Sequence, residues 1–166
     1  MSMIGNFRRV TPGELAALQR DASNIIGFVY PEDEDPEVSD RELDIDKSWQ
    51  VIHYLLTGDP WEGEAPLVNA IMGGEVLGTE DVGYGPPRFI TPAEVQAVAF
   101  ALGTISSEEL GARMDVKKLV EEDIYPAIWE EDAEDLLDYI LHHYQLLVEF
   151  YQNAATAGDA MLLYLN

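Results

Sequence analysis

No cysteine occurs among the 166 residues, which excludes disulfides, thiolate metal ligands, redox pairs and a cysteine nucleophile, and nothing calls for an oxidising compartment. Positive charge is scarce: nine Lys and Arg stand against 32 Asp and Glu, a formal net charge of -23. The long-range electrostatic term is then repulsive toward nucleic acid and anionic membranes, so neither is expected as a partner. Long apolar runs are missing as well. A stretch such as Ala97–Leu102 is far too short to span a bilayer. Met1–Val10 carries two arginines after a very short apolar stretch, where a secretory leader would need positive charge followed by about seven or more apolar residues. A cytoplasmic protein is the expectation.

What is present suffices for a core. Hydrophobic residues make up 47% of the chain and aromatics 10%, which separates it from acidic disordered tails. The length suits one domain, taken as 1–166, and neither an internal repeat nor an interdomain linker is visible.

Local signals place most elements. Ile4–Val10 reads as a strand, after which Thr11-Pro12-Gly13-Glu14 offers an N-cap, a proline at the first helical position and a carboxylate at the third, for a helix reaching Asp21. Pro31–Asp46 holds nine acids against one arginine, and Pro31–Asp40 reads as a solvated loop. Ile45, Trp49, Ile52 and Leu56 recur at helical spacing and Gly58 follows as a stop, so a helix is expected over Leu43–Thr57. Thr91-Pro92-Ala93-Glu94 repeats the capping signature ahead of Val95, Val98, Ala99 and Leu102, and Ser106–Glu109 begins another capped segment. The longest helical pattern runs from Glu130 to Ala157, with acids crowding its positive end and Gly158 ending it. Arg88–Ile90 and Met161–Leu165 complete three strand candidates.

Few residues are suited to chemistry. Of the three histidines, His142 shares a stripe with Asp138, Gln145 and Glu149, while His143 lies with Tyr139, Leu146 and Phe150; the pair points in different directions and is not a joint metal site. His53 follows Asp46 by seven residues and Trp49 by four on one side of the expected helix, an arrangement that suits a general base as well as a buried, satisfied histidine. No G-x-S-x-G turn accompanies it. The alternating acids Asp40, Glu42, Asp44 and Asp46 lack the glycine and glutamate that a calcium loop needs at its sixth and twelfth positions, so capping by Asp44 is the economical reading and no metal is expected. Val82–Arg88 is a glycine-punctuated loop carrying Tyr84 and Arg88. It has neither a Gly-Lys-Ser/Thr phosphate loop nor a dinucleotide fingerprint, which leaves Arg88 as a candidate anion hook or an internal ion-pair partner, and no cofactor is expected.

Met3-Ile4-Gly5, Leu43-Asp44-Ile45-Asp46-Lys47 with Trp49, His53 and Leu55-Leu56-Thr57-Gly58 downstream, and Ile124-Tyr125-Pro126 are recognisable together: the sequence resembles the YfbM-like family, a bacterial family of unknown function, over nearly its whole length. The Gly83–Arg88 loop with Phe89, Thr91 and Pro92 is also similar to many members. The resemblance implies a single α/β domain with helices packed around a small mixed sheet in three layers, and no established reaction.

Two functional classes follow as expectations. One is a binding module whose carboxylate-rich face, Glu32–Asp46 and Glu130–Asp138, docks a basic protein partner. The other is a small-molecule enzyme or sensor in which Asp46, Trp49, His53, Tyr84 and Arg88 converge on one cleft, Arg88 holding an anion and His53 moving a proton. The second requires His53 to be accessible.

Overall fold

Five strands, all in antiparallel ladders, form one sheet, in the order Glu42–Asp44, Gly5–Val10, Ala160–Leu165, Arg88–Ile90 and Glu75–Val76. The computed structural model describes residues 2–33, 39–129 and 132–166. In chain order these are β1 (Gly5–Val10), α1 (Pro12–Arg20), α2 (Ile25–Val29), β2 (Glu42–Asp44), α3 (Trp49–Thr57), β3 (Glu75–Val76), β4 (Arg88–Ile90), α4 (Pro92–Gly103), α5 (Ser107–Ala112), α6 (Val116–Glu121), α7 (Ala133–Ala157) and β5 (Ala160–Leu165). Short 3₁₀ turns at Asp46–Ser48 and Leu67–Ala70 flank α3.

The central strands separate two apolar clusters by side-chain alternation. Phe7, Ile90, Met161 and Leu163 face α3, α4 and α7 in the larger cluster, whereas Val10, Phe89, Leu162 and Tyr164 face α1 and α2 in the smaller one. Burial on both faces explains why β5 reads as an uninterrupted apolar run. The layers are helix, sheet, helix, as the resemblance implies; the sheet, however, is antiparallel rather than mixed. Each of its ladders runs antiparallel, with β5 entering the middle after α7 returns the chain from the far side.

Capping chemistry placed the starts of α1, α4 and α5 correctly but not that of α3, where Asp44 lies in β2 and Ser48 makes no side-chain cap bond. Thr11 and Thr91 each form complete capping boxes with Glu14 and Glu94, Ser106 accepts the Glu109 N–H, and Gly158 ends α7 in the left-handed region at φ 74°. Asp132 caps α7; the proposed start at Glu130 lies outside the described residues, as do positions 34–38 of the acidic loop.

The expected helix over Leu43–Thr57 is wrong over its first six residues. Glu42–Asp44 is the edge strand β2, whose Leu43 sits opposite Phe7, and the helix begins only at Trp49. Asp46, at φ 52°, makes the break, and its N–H is accepted by the Asp44 carboxylate at 2.6 Å. The periodic apolar pattern survives because Ile45 is buried from a turn rather than from a helix.

Candidate functional site

α3 is almost entirely buried, yet three of its side chains are polar and fall on one stripe: Gln50, His53 and Thr57. All three are directed at the loop that follows the helix. Gln50 donates to the Pro60 carbonyl at 3.2 Å and accepts the Tyr125 N–H at 2.8 Å. His53 Nε2 lies 3.0 Å from the Glu62 carbonyl oxygen. A carbonyl can only accept, so Nε2 carries the proton and Nδ1 keeps a lone pair, which is buried without a protein partner. The Thr57 hydroxyl donates back to the His53 carbonyl at 2.9 Å and accepts the Asp59 N–H at 3.3 Å. From above, the Asp59 carboxylate accepts the N–H groups of Trp61 and Glu62 at 2.9 and 2.8 Å, and these bonds lower its pKa.

Trp49 opens the same helix and is fully buried, its indole N–H donating to the Met3 carbonyl at 3.0 Å. It stacks on Tyr125 with ring centroids 5.7 Å apart, and Trp61 of the pinned loop leans over it at 6.2 Å. Tyr125 in turn accepts the Met3 N–H through its hydroxyl at 2.8 Å. Gly5 permits this packing, since a Cβ there would fall 2.7 Å from that of Trp49.

Asp46 takes part in a different contact. The Tyr139 hydroxyl of α7 donates to its carboxylate at 2.6 Å and accepts the Lys47 N–H at 3.1 Å, which ties the acidic turn to the long helix. Burial, then the bond to Asp46, pushes the Tyr139 hydroxyl well above its ordinary pKa. Tyr139 also meets His143 edge-on at 4.7 Å, and burial lowers the His143 pKa.

Arg88 is an internal clamp rather than an anion hook. Its guanidinium donates to the carbonyls of Gly73 at 2.6 Å and Ile71 at 3.0 Å, just beyond the 3₁₀ turn, while Tyr151 donates to the Ala70 carbonyl at 2.7 Å. Burial lowers the Arg88 pKa and raises that of Tyr151. Tyr84 is exposed on the loop beside the end of β5, its N–H donating to the Leu165 carbonyl at 3.0 Å.

The five sequence candidates are therefore not gathered in one cleft. Burial, with a lesser contribution from the Arg88 charge, lowers the His53 pKa, and both side chains are directed inward. At 1% exposure His53 has no access to a substrate, so the proton-transfer site expected of His53 and Arg88 is not formed. Depressions of about 460 Å³ beside Tyr144, Glu149 and Gln152, and of about 350 Å³ beside Thr57, Arg113 and Lys118, lack all five residues. Among the described residues no three His, Asp or Glu side chains are placed to hold a metal ion, and no helix is long and apolar enough to cross a membrane.

Sequence reasoning missed Gln50, Thr57 and the loop they hold. The available signal was a polar stripe inside an otherwise apolar helix.

The family model for a domain of unknown function, DUF1877, matches residues 1–164. The chain belongs to this family. A curated relative, protein YfbM of Escherichia coli (strain K12), is 31% identical over 128 residues, covering 74% of this chain and 75% of its own length. The crystal structure of YfbM from Escherichia coli, titled as a protein of unknown function, is similar with a TM-score of 0.74 and 26% identity, covering 98% of this chain and 99% of that one. Family membership thus carries the three-layer fold and no biochemical function.

Proposed function

We propose that this protein is a cytoplasmic binding module whose acidic face docks a basic protein partner. The observation that carries the reading is a juxtaposition the sequence leaves open. The acidic segment around β2 and the first turns of α7 lie more than 80 residues apart, and the Tyr139–Asp46 bond joins them. Asp40, Glu42 and Asp44 on one segment, and Asp132, Glu134, Asp135 and Asp138 on the other, are exposed.

Several arginines are engaged by groups of the fold itself. Arg8 is buried against Phe28 and Glu42, Arg9 pairs with Asp159 at 3.0 Å, Arg88 holds Ile71 and Gly73, and Arg113 donates to the Leu55 carbonyl at 2.9 Å. Acids still outnumber cations on the acidic face, with Arg8 paired to Glu42 and Arg41 to Glu14. Such a field speeds the approach of a basic partner and rejects acidic ones.

The test is binding of a lysine- and arginine-rich peptide at low and high salt, with the native protein and with Asp44→Asn, Asp135→Asn and Asp138→Asn combined. The reading expects affinity to fall with salt and to fall again in the triple variant. Equal affinity for the two proteins would overturn it.

A further inference from the structure

Trp61 is 58% exposed, an uncommon position for so large an apolar ring, and it belongs to a loop that does not move freely. Three side chains of α3 and the Asp59 carboxylate fix its backbone from both sides, and its lower edge rests on Trp49. Its sequence neighbours Glu62 and Glu64 are exposed carboxylates, and among the described residues neither they nor Asp59 form a salt bridge. Phe100 is more exposed, at 79%, but its exposed neighbours on α4 are Gln96, Ala97 and Gly103, which offer no charge. In the chain, Trp49, on which Trp61 rests, follows Asp46 by three residues.

We propose that Trp61 is an anchor for an arginine of the basic partner, a reading that rests on the acidic docking face and gives it a specific contact. A guanidinium matches both halves of the site: its flat face stacks on the indole while its edge donates to Glu62 or Glu64. A lysine ammonium is attracted by the same ring but lacks the planar fork. Because the loop is already ordered by Gln50, His53 and Asp59, little conformational freedom is lost when the arginine arrives. Exposed aromatics held in this way are typical of the few interface residues that dominate affinity.

Titration of an arginine-rich peptide and of its lysine counterpart, read by tryptophan emission and by calorimetry, tests the proposal. The proteins are the native chain, Trp61→Phe, Trp61→Leu, and the Asp44, Asp135 and Asp138 triple variant, with near-ultraviolet circular dichroism confirming each fold. Native protein is expected to prefer the arginine peptide, with affinity falling in the order Trp, Phe, Leu and a loss of about fivefold or more for Leu. Equal binding by native and Trp61→Leu proteins, with loss in the triple variant, overturns the anchor and leaves the acidic face standing. Loss in Trp61→Leu with no effect of the triple variant supports the anchor and overturns the acidic face. Absence of binding by the native protein overturns both.

Discussion

The Nε2 of His53 lies 3.0 Å from the Glu62 carbonyl oxygen, so the histidine acts as a fastener between a buried helix and the loop above it. Replacing it by alanine removes that bond and leaves a void flanked by Gln50 and Thr57. His53→Ala is expected to lose about 2–4 kcal/mol of stability by urea unfolding, with native-state Trp61 emission shifting as the loop loosens. A loss below about 0.5 kcal/mol would show that the fastener is unimportant.

Acid should act on the same bond. Burial lowers the His53 pKa from its ordinary 6.5; Glu62 and Asp59 oppose that shift and Arg88 adds to it. The unfolded chain therefore takes up a proton at a pH where the folded chain still resists. Stability is complete above about 6.5 and declines as pH falls below it. His143, lowered by burial and by His142, contributes in the same direction. Asp21 and Asp59 have lowered pKa values too, but their contribution fades only at lower pH, near and below 3.8. Unfolding free energies at pH 7.5 and 5.5 should differ, and His53→Gln should reduce the difference without abolishing it. An unchanged difference would place the proton elsewhere.

Arg88→Met keeps the length of the buried stem and removes the donors to Ile71 and Gly73. Two carbonyls then lose their partners, and the expected cost is about 2–4 kcal/mol in thermal or urea unfolding. Because the guanidinium is engaged internally, inorganic phosphate should stabilise native and variant proteins to the same extent. Phosphate stabilisation seen only in the native protein would restore Arg88 as an anion hook.

Gly5→Ala forces a methyl group to within 2.7 Å of the Trp49 Cβ. Either β1 or the start of α3 must shift, and about 1–3 kcal/mol should be lost. Near-ultraviolet circular dichroism reports the disturbed Trp49–Tyr125 stack directly; an unaltered spectrum would mean that the helix yields without cost.

Legibility of the fold followed the range of the interactions. Thr11, Thr91 and Ser106 cap helices through bonds spanning three residues, and Gly158 stops α7 by its own backbone freedom, so each could be read in place. β2 and β3 could not. They are largely exposed, without the buried apolar residues that mark the equally short β4, and exist because β1 and β4 offer them hydrogen bonds. His53 and Arg88 were legible as unusual residues, but their direction was not, since a polar group in an apolar stretch is equally compatible with a site and with an internal bond.

Composition by itself settled the electrostatic sign of this protein, the absence of thiol chemistry and the presence of enough apolar surface for a core, because these depend on counts and not on arrangement. Tertiary structure decided which charges remain outside. It turned Arg8 and Arg88 toward carbonyls, sealed His53 beneath residues 59–62, and brought Asp46 to Tyr139 across 93 positions of chain. The physical reason is that a buried polar group must find a partner wherever the packed chain supplies one, and that choice is fixed only when distant segments meet.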